Sequence, residues 1–458
     1  MALKIEEKPS PPKPVPARVE RPLPSMLRSP ALERRERIAP APAQPRSKGR
    51  SQQHSLPGGA GRIDYVLFAA LMGMLCFGLV MVYSASTEAV PGDPTYWFRR
   101  ELLWVGLGIA ALVVTMRIPY YRWRRLAVYA MIGAFILMVL VLLVGKQVNG
   151  AQRWLALGPF FSFQPSELAK LAFILYIADW LSRKGRQVGT FIYGLAPFAL
   201  LTGVVLSLVL FQNDMGTAII IAALAVAMFI TAGARFLVQL LPMLISGMLS
   251  FGFIALHTPF RQARLQALQD PLNCVAQGSY QVCQGLIALG SGGLSGVGLG
   301  ASRQKAGYLP NPWTDSIFAI IGEELGFIGC ALILVLLLLF AYRAIRIGRR
   351  APDMYGMLLA TGIACWIAAQ AMLNIGSVSA LIPFTGVPLP FISFGGSSLV
   401  TTMAAVGILL NISRQSKQPA MNDQMHRQHL SPSGIENDAG TYLRRRNGRA
   451  HLPRAGRR

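Results

Sequence analysis

Long apolar runs, separated by short polar or basic turns, constrain this chain more than any other feature. A helix needs about 20 predominantly apolar residues to cross the hydrocarbon core of a bilayer. Ten runs are candidates for such helices: 65–83, 102–116, 126–144, 168–181, 191–211, 217–231, 237–256, 316–342, 354–375 and 391–412. We therefore expect an all-α polytopic membrane protein with ten transmembrane helices and a large extracytoplasmic loop between spans 7 and 8.

The distribution of charge predicts which side of the membrane each segment faces. The chain has a formal net charge of +24, although only 14% of its residues are charged. Such a charge first suggests nucleic acid as a partner, but the cations cluster in both tails and in loops such as 117–125 and 343–350. This is the positive-inside pattern, so we expect both termini in the cytoplasm and no nucleic-acid partner.

Three regions follow from composition. The tail at 1–61 is basic and Pro-rich, and the tail at 413–458 is basic and polar. Neither tail has enough apolar surface to fold alone, so we predict that both are disordered. Between them lies the predicted membrane domain, 62–412, with its extracytoplasmic loop at 257–315.

That loop collects the polar groups that the apolar runs exclude. Backbone that is not helical must line water or a polar cavity at membrane depth, so the loop is the first place to look for chemistry. Its Asp270 is the only carboxylate between Asp214 and Asp315. Two interpretations of Asp270 have similar weight: a general base facing a water-filled cavity, or a turn former before a proline.

Cations on the same loop suggest an anion site. Guanidinium forks match phosphate oxygens, which favours a clamp for a diphosphate. Non-specific attraction to anionic lipid headgroups is the simpler alternative. The four residues are Arg261, Arg264, Arg303 and Lys305. The glycine-rich segment 290–300 would let backbone N–H groups approach the same anion.

The acidic residues near the predicted helix ends have structural alternatives. Glu323 and Glu324 lie near the outer end of the eighth run, and an ion pair of one of them with Lys305 or Arg153 is favoured over catalysis. Asp214 is expected to cap the sixth helix.

The fourth run begins with a pair of opposite charges, and an aromatic residue precedes it. Glu167 and Lys170 are spaced i,i+3, so each can neutralise the other. Trp154 matches the aromatic belt expected at a membrane interface and is weak evidence of a site by itself.

Two cysteines lie in the loop. Cys274 and Cys283 are nine positions apart on the side of the membrane expected to be oxidising. A disulfide and two free thiols have similar weight.

Four motifs resemble the shape, elongation, division and sporulation (SEDS) family. They are FQPSELAKLA (163–172), QNDMGTA (212–218), the long segment from GSYQ to IGEELG (278–326), and LIPFTGVPLPFISFGGSS (381–398). The resemblance covers about 62–412 and neither tail. It implies a ten-span peptidoglycan glycosyltransferase of the bacterial cytoplasmic (inner) membrane. The IGEELG and GGSS forms and the long N-terminal tail are closer to the cell-division branch than to the elongation branch.

The family's reaction is polymerisation of lipid II. A sugar hydroxyl of one lipid-linked disaccharide attacks the anomeric carbon of another and expels undecaprenyl diphosphate. The resemblance implies a class B penicillin-binding protein, other division proteins and membrane lipid as partners. No cofactor is predicted with certainty, and a divalent cation (Mg or Mn) at the diphosphate is left open. The alternatives are a lipid II flippase and a non-catalytic scaffold for division.

The chain departs from the family at one catalytic position. The family loop carries an Asn or Asp before Pro and then a second Asp-Pro, whose Asp is taken as catalytic. Here Asp270 matches the first position and Cys274 occupies the second, unless a short insertion at 273–276 shifts the alignment. We predict Asp270 as the base, and a weakened or altered base is the alternative.

The resemblance and the loop cations together give a set of substrate-binding residues. The set is Arg153, Trp154, Glu167, Lys170, Arg261, Arg264, Arg303, Lys305, Asp315, Glu324, Ser393, Gly395, Gly396 and Ser397.

Overall fold

The computed structural model describes residues 63–148, 151–156, 162–235, 239, 241–256, 259–275 and 278–415. The predicted tail at 1–61 lies outside these residues. So does the predicted tail at 413–458, except for 413–415, which belong to the last helix.

Helices form most of the described chain. They are α1 Tyr65–Ser86, α2 Tyr96–Arg117, α3 Tyr120–Val144, α4 Pro165–Lys184, α5 Ala196–Phe211, α6 Met215–Thr231, α7 Leu241–Leu256, α8 Pro259–Gln269, α9 Tyr280–Ser291, α10 Ile317–Arg349, α11 Met354–Val378 and α12 Ser397–Gln415. A 3₁₀ turn, Gly185–Gly189, and a π-helical turn, Phe191–Leu195, precede α5. Each of the ten predicted runs overlaps one of these helices, and α8 and α9 lie in the predicted outer loop.

Length and composition single out fewer membrane-crossing helices than the sequence patterns do. Within the described residues, six helices are long and apolar enough to cross a membrane: Tyr65–Ser86, Tyr120–Val144, Phe191–Phe211, Ile317–Arg349, Met354–Val378 and Ser397–Gln415. The protein is therefore a multi-pass helical membrane protein, and the count of ten spans stays a prediction.

Two local features differ from the all-α expectation. Three short strands follow α3 and form an antiparallel sheet in the order β1 Lys146–Val148, β2 Ala151–Ala156 and β3 Ser162–Phe163. In addition, α12, the helix that overlaps the tenth predicted run (391–412), begins only at Ser397. Phe391 and Gly396 have φ values of 65° and 50°, a left-handed conformation that a right-handed helix cannot contain.

Close backbone contact joins α2 to α12. A Cβ placed on Gly407 would lie 2.0 Å from the hydroxyl oxygen of Thr115, so only glycine fits there. The Thr115 hydroxyl donates a hydrogen bond of 2.9 Å to the carbonyl oxygen of Ala404. This packing holds the C-terminal end of α2 against the middle of α12.

A glycine-rich segment covers a break in α10. Gly326 interrupts the helix with φ 66° and ψ −161°. Two N–H groups of the segment 290–300 donate to the carbonyl oxygens of Glu323 and Glu324 at 2.9 and 3.0 Å, and the N–H of Phe327 donates back to the segment at 2.9 Å. These hydrogen bonds satisfy the backbone groups at the break. The N–H groups of Val297 and Gly298, which belong to the segment predicted to approach an anion, therefore bind α10 instead.

Candidate active site

One cavity of about 520 Å³ gathers residues from most of the chain. Its walls come from α2, β2, the starts of α4 and α6, α8 and α9, the loop before α10 and the segment between α11 and α12. Seven predicted site residues line it: Arg153, Trp154, Glu167, Arg264, Asp315, Gly395 and Gly396.

Arg153 is fixed at the cavity wall by the turn before α6. Its guanidinium donates to the carbonyl oxygens of Gln212, at 3.4 Å, and Asn213. It also lies 3.8 Å from a carboxylate oxygen of Asp214. The guanidinium is therefore held in place by a preorganised set of acceptors.

Arg264 approaches the same space from α8. Its Nη1 donates a hydrogen bond of 2.7 Å to the carbonyl oxygen of Phe384, and its guanidinium lies 6.0 Å from the centre of that ring. Burial and the positive charge of Arg153 lower the pKa of Arg264 to about 10. Two guanidinium groups that repel each other in one cavity favour an anion bound between them.

A third arginine was not among the predicted site residues. Arg100 of α2 lines the cavity, and its guanidinium lies 5.3 Å from the ring centre of Trp97 and 5.7 Å from that of Tyr96. Its position after three aromatic residues in the YWFRR sequence (96–100) is a signal of a cation–π site, although only the fold shows that it faces the cavity.

Aromatic rings form one wall. Trp97 stacks on Trp313 with centroids 5.2 Å apart and meets Phe394 edge to face at 5.0 Å. A Cβ on Gly396 would lie 3.4 Å from the ring of Trp104. No sequence motif marks this wall, because its members come from separate parts of the chain.

Glu167 is held by a buried lysine. The Nζ of Lys170 donates to Glu167 at 2.8 Å and to the side-chain oxygen of Gln370 at 3.2 Å. Lys170 also lies 5.0 Å from the ring centre of Trp366. The predicted mutual neutralisation of Glu167 and Lys170 is confirmed, and Lys170 lies behind the cavity rather than in its wall.

Asp214 caps α6, as predicted. One of its oxygens accepts from the N–H of Thr217 at 3.1 Å. The other accepts from the side-chain nitrogen of Gln164 at 3.1 Å and the hydroxyl of Ser166 at 3.4 Å. Both oxygens are therefore engaged by the protein.

Asp315 lies two residues before the start of α10. Its Oδ1 accepts from the side chains of Thr314, at 3.1 Å, and Gln281, at 3.3 Å. The backbone carbonyl of Asp315 accepts from the side chain of Asn374 at 2.8 Å. Burial raises the pKa of the Asp315 carboxyl to about 6, and the nearby charge of Arg264 opposes that rise.

The structure does not bring the predicted base, Asp270, to this cavity. Asp270 is exposed and follows the end of α8, where its N–H donates to the carbonyl of Gln266 and its carbonyl accepts from the N–H of Asn273, both at 3.3 Å. The residue therefore forms a turn, which was the alternative interpretation. Next to this turn, Cys274 and Cys283 form a disulfide with their Cα atoms 5.3 Å apart.

Of the four cations in the predicted clamp, Arg264 lines the cavity, whereas Arg303 and Lys305 do not. Lys305 is buried elsewhere, and its Nζ contacts the carbonyl of Gly300 at 2.7 Å and Glu324 at 3.5 Å. Arg303 is exposed, and the side chain of Arg261 lies outside the described part of the structure.

The predicted role of Glu324 in substrate binding is likewise not supported. Its carboxylate accepts from the hydroxyl of Ser84 at 2.7 Å and pairs with Lys305, so the ion pair favoured by the sequence is confirmed. The neighbouring Glu323 accepts from Ser302 at 2.5 Å.

Two predicted serines shape the segment before α12 instead of lining the cavity. The hydroxyl oxygen of Ser393 accepts from the N–H of Leu389 at 2.8 Å. That of Ser397 accepts from the N–H of Gln164 at 3.2 Å, which joins this segment to the start of α4.

The described part of the structure has no cluster of side chains arranged to bind a divalent cation. Among the described residues, no group of three or more His, Cys, Asp or Glu side chains is placed to hold a metal ion. Glu167 and Asp214 already have protein partners. We therefore assign no step to a metal.

Comparison with known proteins gives the family. A family model described as "Cell cycle protein", covering FtsW, RodA and SpoVE, matches residues 64–418. Stage V sporulation protein E of Bacillus subtilis is 42% identical over 362 residues, covering 77% of this chain and 98% of that protein. A protein named "Probable peptidoglycan glycosyltransferase FtsW" of Geobacter metallireducens is 39% identical over 366 residues, covering 78% and 96%.

Solved structures share the fold. The rod shape determining protein RodA of Thermus thermophilus is 28% identical with a TM-score of 0.59, covering 78% of this chain and 98% of that one. A chain of a peptidoglycan synthase complex that coordinates polymerization and crosslinking is 27% identical with a TM-score of 0.63, covering 78% and 99%. The chain belongs to the FtsW/RodA/SpoVE family of cell cycle proteins, the SEDS family whose motifs its sequence carries.

Proposed function

We propose that this protein is a peptidoglycan glycosyltransferase that polymerises lipid II into glycan strands during cell division and releases undecaprenyl diphosphate. Relatives named peptidoglycan glycosyltransferase FtsW align with more than three quarters of the chain. The structural observation that carries the proposal is one cavity in which two guanidinium groups share a wall with stacked indoles.

The cations serve the leaving group. A diphosphate departs with its bonding electrons, so its developing charge needs positive groups more than a strong general acid. Arg153 and Arg264 are both anchored by backbone carbonyl oxygens, which leaves their positions fixed before substrate arrives. Preorganised donors of this kind stabilise a transition state without a reorganisation cost.

The aromatic wall serves the sugars. The C–H groups of a pyranose carry partial positive charge and are attracted to the negative face of an aromatic ring. Trp313, stacked on Trp97, and the nearby Phe394 offer such faces next to Arg100. A disaccharide diphosphate has an apolar sugar face next to an anion, which matches an aromatic wall next to a cation.

The membrane setting follows from the same proposal. We place the protein in the bacterial inner membrane with ten spans, both termini in the cytoplasm and the 257–315 loop outside. A class B penicillin-binding protein is the partner that would cross-link the product, as the peptidoglycan synthase complex among the structural relatives suggests. Division proteins are the further partners.

The test is polymerisation of purified lipid II by the purified protein in the presence of its penicillin-binding partner, with products separated by size. Arg264→Gln is expected to lower the rate by about 100-fold, because it removes one preorganised cation. Arg303→Gln is the matched control: it removes an exposed cation of the same loop and should leave the rate nearly unchanged. Equal effects of the two substitutions would count against the cavity as the site.

The rivals give different outcomes. Transfer of lipid II headgroups across vesicles without polymer would support a flippase. Stimulation of the partner by both wild type and Arg264→Gln, without any glycan made by this chain, would support a scaffold.

A further inference from the structure

Three carboxylates line the cavity, and they differ in what their oxygens already do. Oε1 of Glu167 is paired with buried Lys170 at 2.8 Å, whereas its Oε2 is buried and accepts no hydrogen bond from the described residues. Both oxygens of Asp214 accept hydrogen bonds, and Arg153 lies 3.8 Å away. Both oxygens of Asp214 are therefore engaged within the protein, and Glu167 balances the charge of a buried ammonium group.

Asp315 is arranged differently. Its Oδ1 is oriented by the side chains of Thr314 and Gln281, whereas its Oδ2 accepts no hydrogen bond from the side chain of another described residue. Oδ2 lies opposite Gly386, where a Cβ would be 3.6 Å away. Gly386 has a φ of 68° and no side chain, so it leaves room for a substrate oxygen beside Oδ2.

The position that the family uses for its base does not compete with Asp315 here. Without an insertion at 273–276, Cys274 aligns with that position, and it is bonded to Cys283. Asp270, four residues earlier, is exposed and outside the cavity. A base must come within hydrogen-bond reach of the hydroxyl that it deprotonates.

We propose that Oδ2 of Asp315 accepts the proton of the attacking sugar hydroxyl, so that Asp315 is a catalytic residue of this chain. The inference rests on the proposed function. The hydroxyl oxygen forms its bond to the anomeric carbon of the second lipid-linked sugar as its proton passes to Oδ2. The bond between that carbon and the diphosphate oxygen breaks, and the diphosphate leaves with the electron pair. Solvent then removes the proton from Asp315.

The electrostatic surroundings suit this role. Burial raises the pKa of Asp315 to about 6, close to the pH at which a base must be both ionised and basic. The charged groups that share the cavity come from five elements or turns: Arg100, Arg153, Glu167, Asp214 and Arg264. Arg264 is the one whose charge acts directly against the rise, so it keeps the carboxyl ionised at neutral pH.

The experiment compares Asp315→Asn, Asp315→Glu and wild type in lipid II polymerisation with the penicillin-binding partner, from pH 5 to 8. Asp315→Asn should lower kcat by about 100-fold or more with little change in KM, because it keeps the shape and removes the base. Wild type should lose activity as pH falls through about 6, and the residual activity of Asp315→Asn should lack this limb. Asp315→Glu should retain the limb and part of the rate.

Asp93→Asn is the matched control. Asp93 is an acidic residue of the α1–α2 connection that pairs with Arg99 and does not line the cavity, so its variant should keep the wild-type profile. Retention of full kcat by Asp315→Asn, or an unchanged acidic limb in that variant, would overturn the assignment. Loss of activity in Asp270→Asn alone would do the same and restore the loop acid as base.

Misfolding and failure of the proposed function are separable from these outcomes. A cooperative thermal transition at or above the wild-type temperature shows that a variant is folded, and Asp315→Glu supplies the comparison if Asp315→Asn lacks one. Absence of polymer with wild type itself would reject the proposed function, whatever the variants do.

Discussion

The indole of Trp97 in α2 stacks on that of Trp313, just before α10, with ring centroids 5.2 Å apart and planes 28° from parallel. The pair joins two distant parts of the sequence at one wall of the cavity. Arg100 lies against the same indole of Trp97 at 5.3 Å. A cation and an aromatic face are thereby presented together.

If this wall binds the disaccharide, removing one ring should weaken substrate binding more than it slows the chemical step. We expect Trp313→Ala to raise KM for lipid II by about 5-fold, with kcat reduced less, because a lost aromatic contact is worth roughly 1 kcal/mol. The KM of Trp313→Phe should lie between those of wild type and Trp313→Ala. Trp180→Phe, which alters a tryptophan stacked on Phe198 outside the cavity, is the control. A pure kcat defect in Trp313→Ala would contradict a binding role.

The loop disulfide should stabilise the segment between α8 and α9. Closing a loop of nine residues is worth about 2–3 kcal/mol in the chain-entropy account. Cys274→Ser with Cys283→Ser should therefore lower the melting temperature. Alkylation of unreduced protein should modify only Cys76, Cys330 and Cys365, as counted by peptide mass spectrometry. Labelling of Cys283 without reduction would show that the bond is absent.

The buried pair of Lys305 and Glu324 should matter through the charge that is left behind. Lys305→Met removes the cation and strands a carboxylate that is 0% exposed, which costs about 3–5 kcal/mol. Replacing both partners, with Lys305→Met and Glu324→Gln, should recover part of that loss. Arg303→Met serves as control because its side chain is exposed. Thermal unfolding in detergent measures all three variants, and a Lys305→Met variant as stable as wild type would refute the pairing.

The break in α10 depends on a close approach that tolerates no side chain. A Cβ on Gly292 would lie 1.8 Å from the carbonyl oxygen of Gly322. Gly292→Ala should destabilise the protein by about 1–3 kcal/mol or more. Gly290→Ala is the control, because a Cβ there meets nothing within 4 Å. Equal melting temperatures for the two variants would contradict this packing.

Asp315 should also affect stability with a defined pH dependence. Its pKa in the folded protein, about 6, lies above the ordinary value of 3.8, so the folded state binds the proton more tightly than the unfolded state does. Ionisation therefore lowers stability as pH rises from about 4 through 6. Asp315→Asn should melt higher than wild type at pH 7.5, and the difference should vanish near pH 4. A difference independent of pH would show that burial does not perturb this carboxyl.

The sequence by itself determined the helical membrane class and the family. Apolar runs have a length that the bilayer sets, so their presence is visible without the fold. The local partners were equally accessible: the Asp214 cap on α6 and the Glu167–Lys170 pair both depend on spacing within one helix. The sequence also favoured an ion pair of Glu323 or Glu324 with Lys305 or Arg153, because an ionisable group at the depth of these glutamates needs a partner.

Only the tertiary structure decided which charged residues share one cavity. Arg264 and Arg303 look alike on the loop, but a hydrogen bond to the carbonyl of Phe384 turns Arg264 inward, whereas Arg303 is exposed. In the sequence, Asp270 and Asp315 are both acidic residues of the predicted outer loop. In the structure, Asp270 belongs to an exposed turn after α8, whereas Asp315 lines the cavity with its Oδ2 beside Gly386. The sequence shows which side chains are charged, but contacts with residues far away along the chain determine where each side chain points.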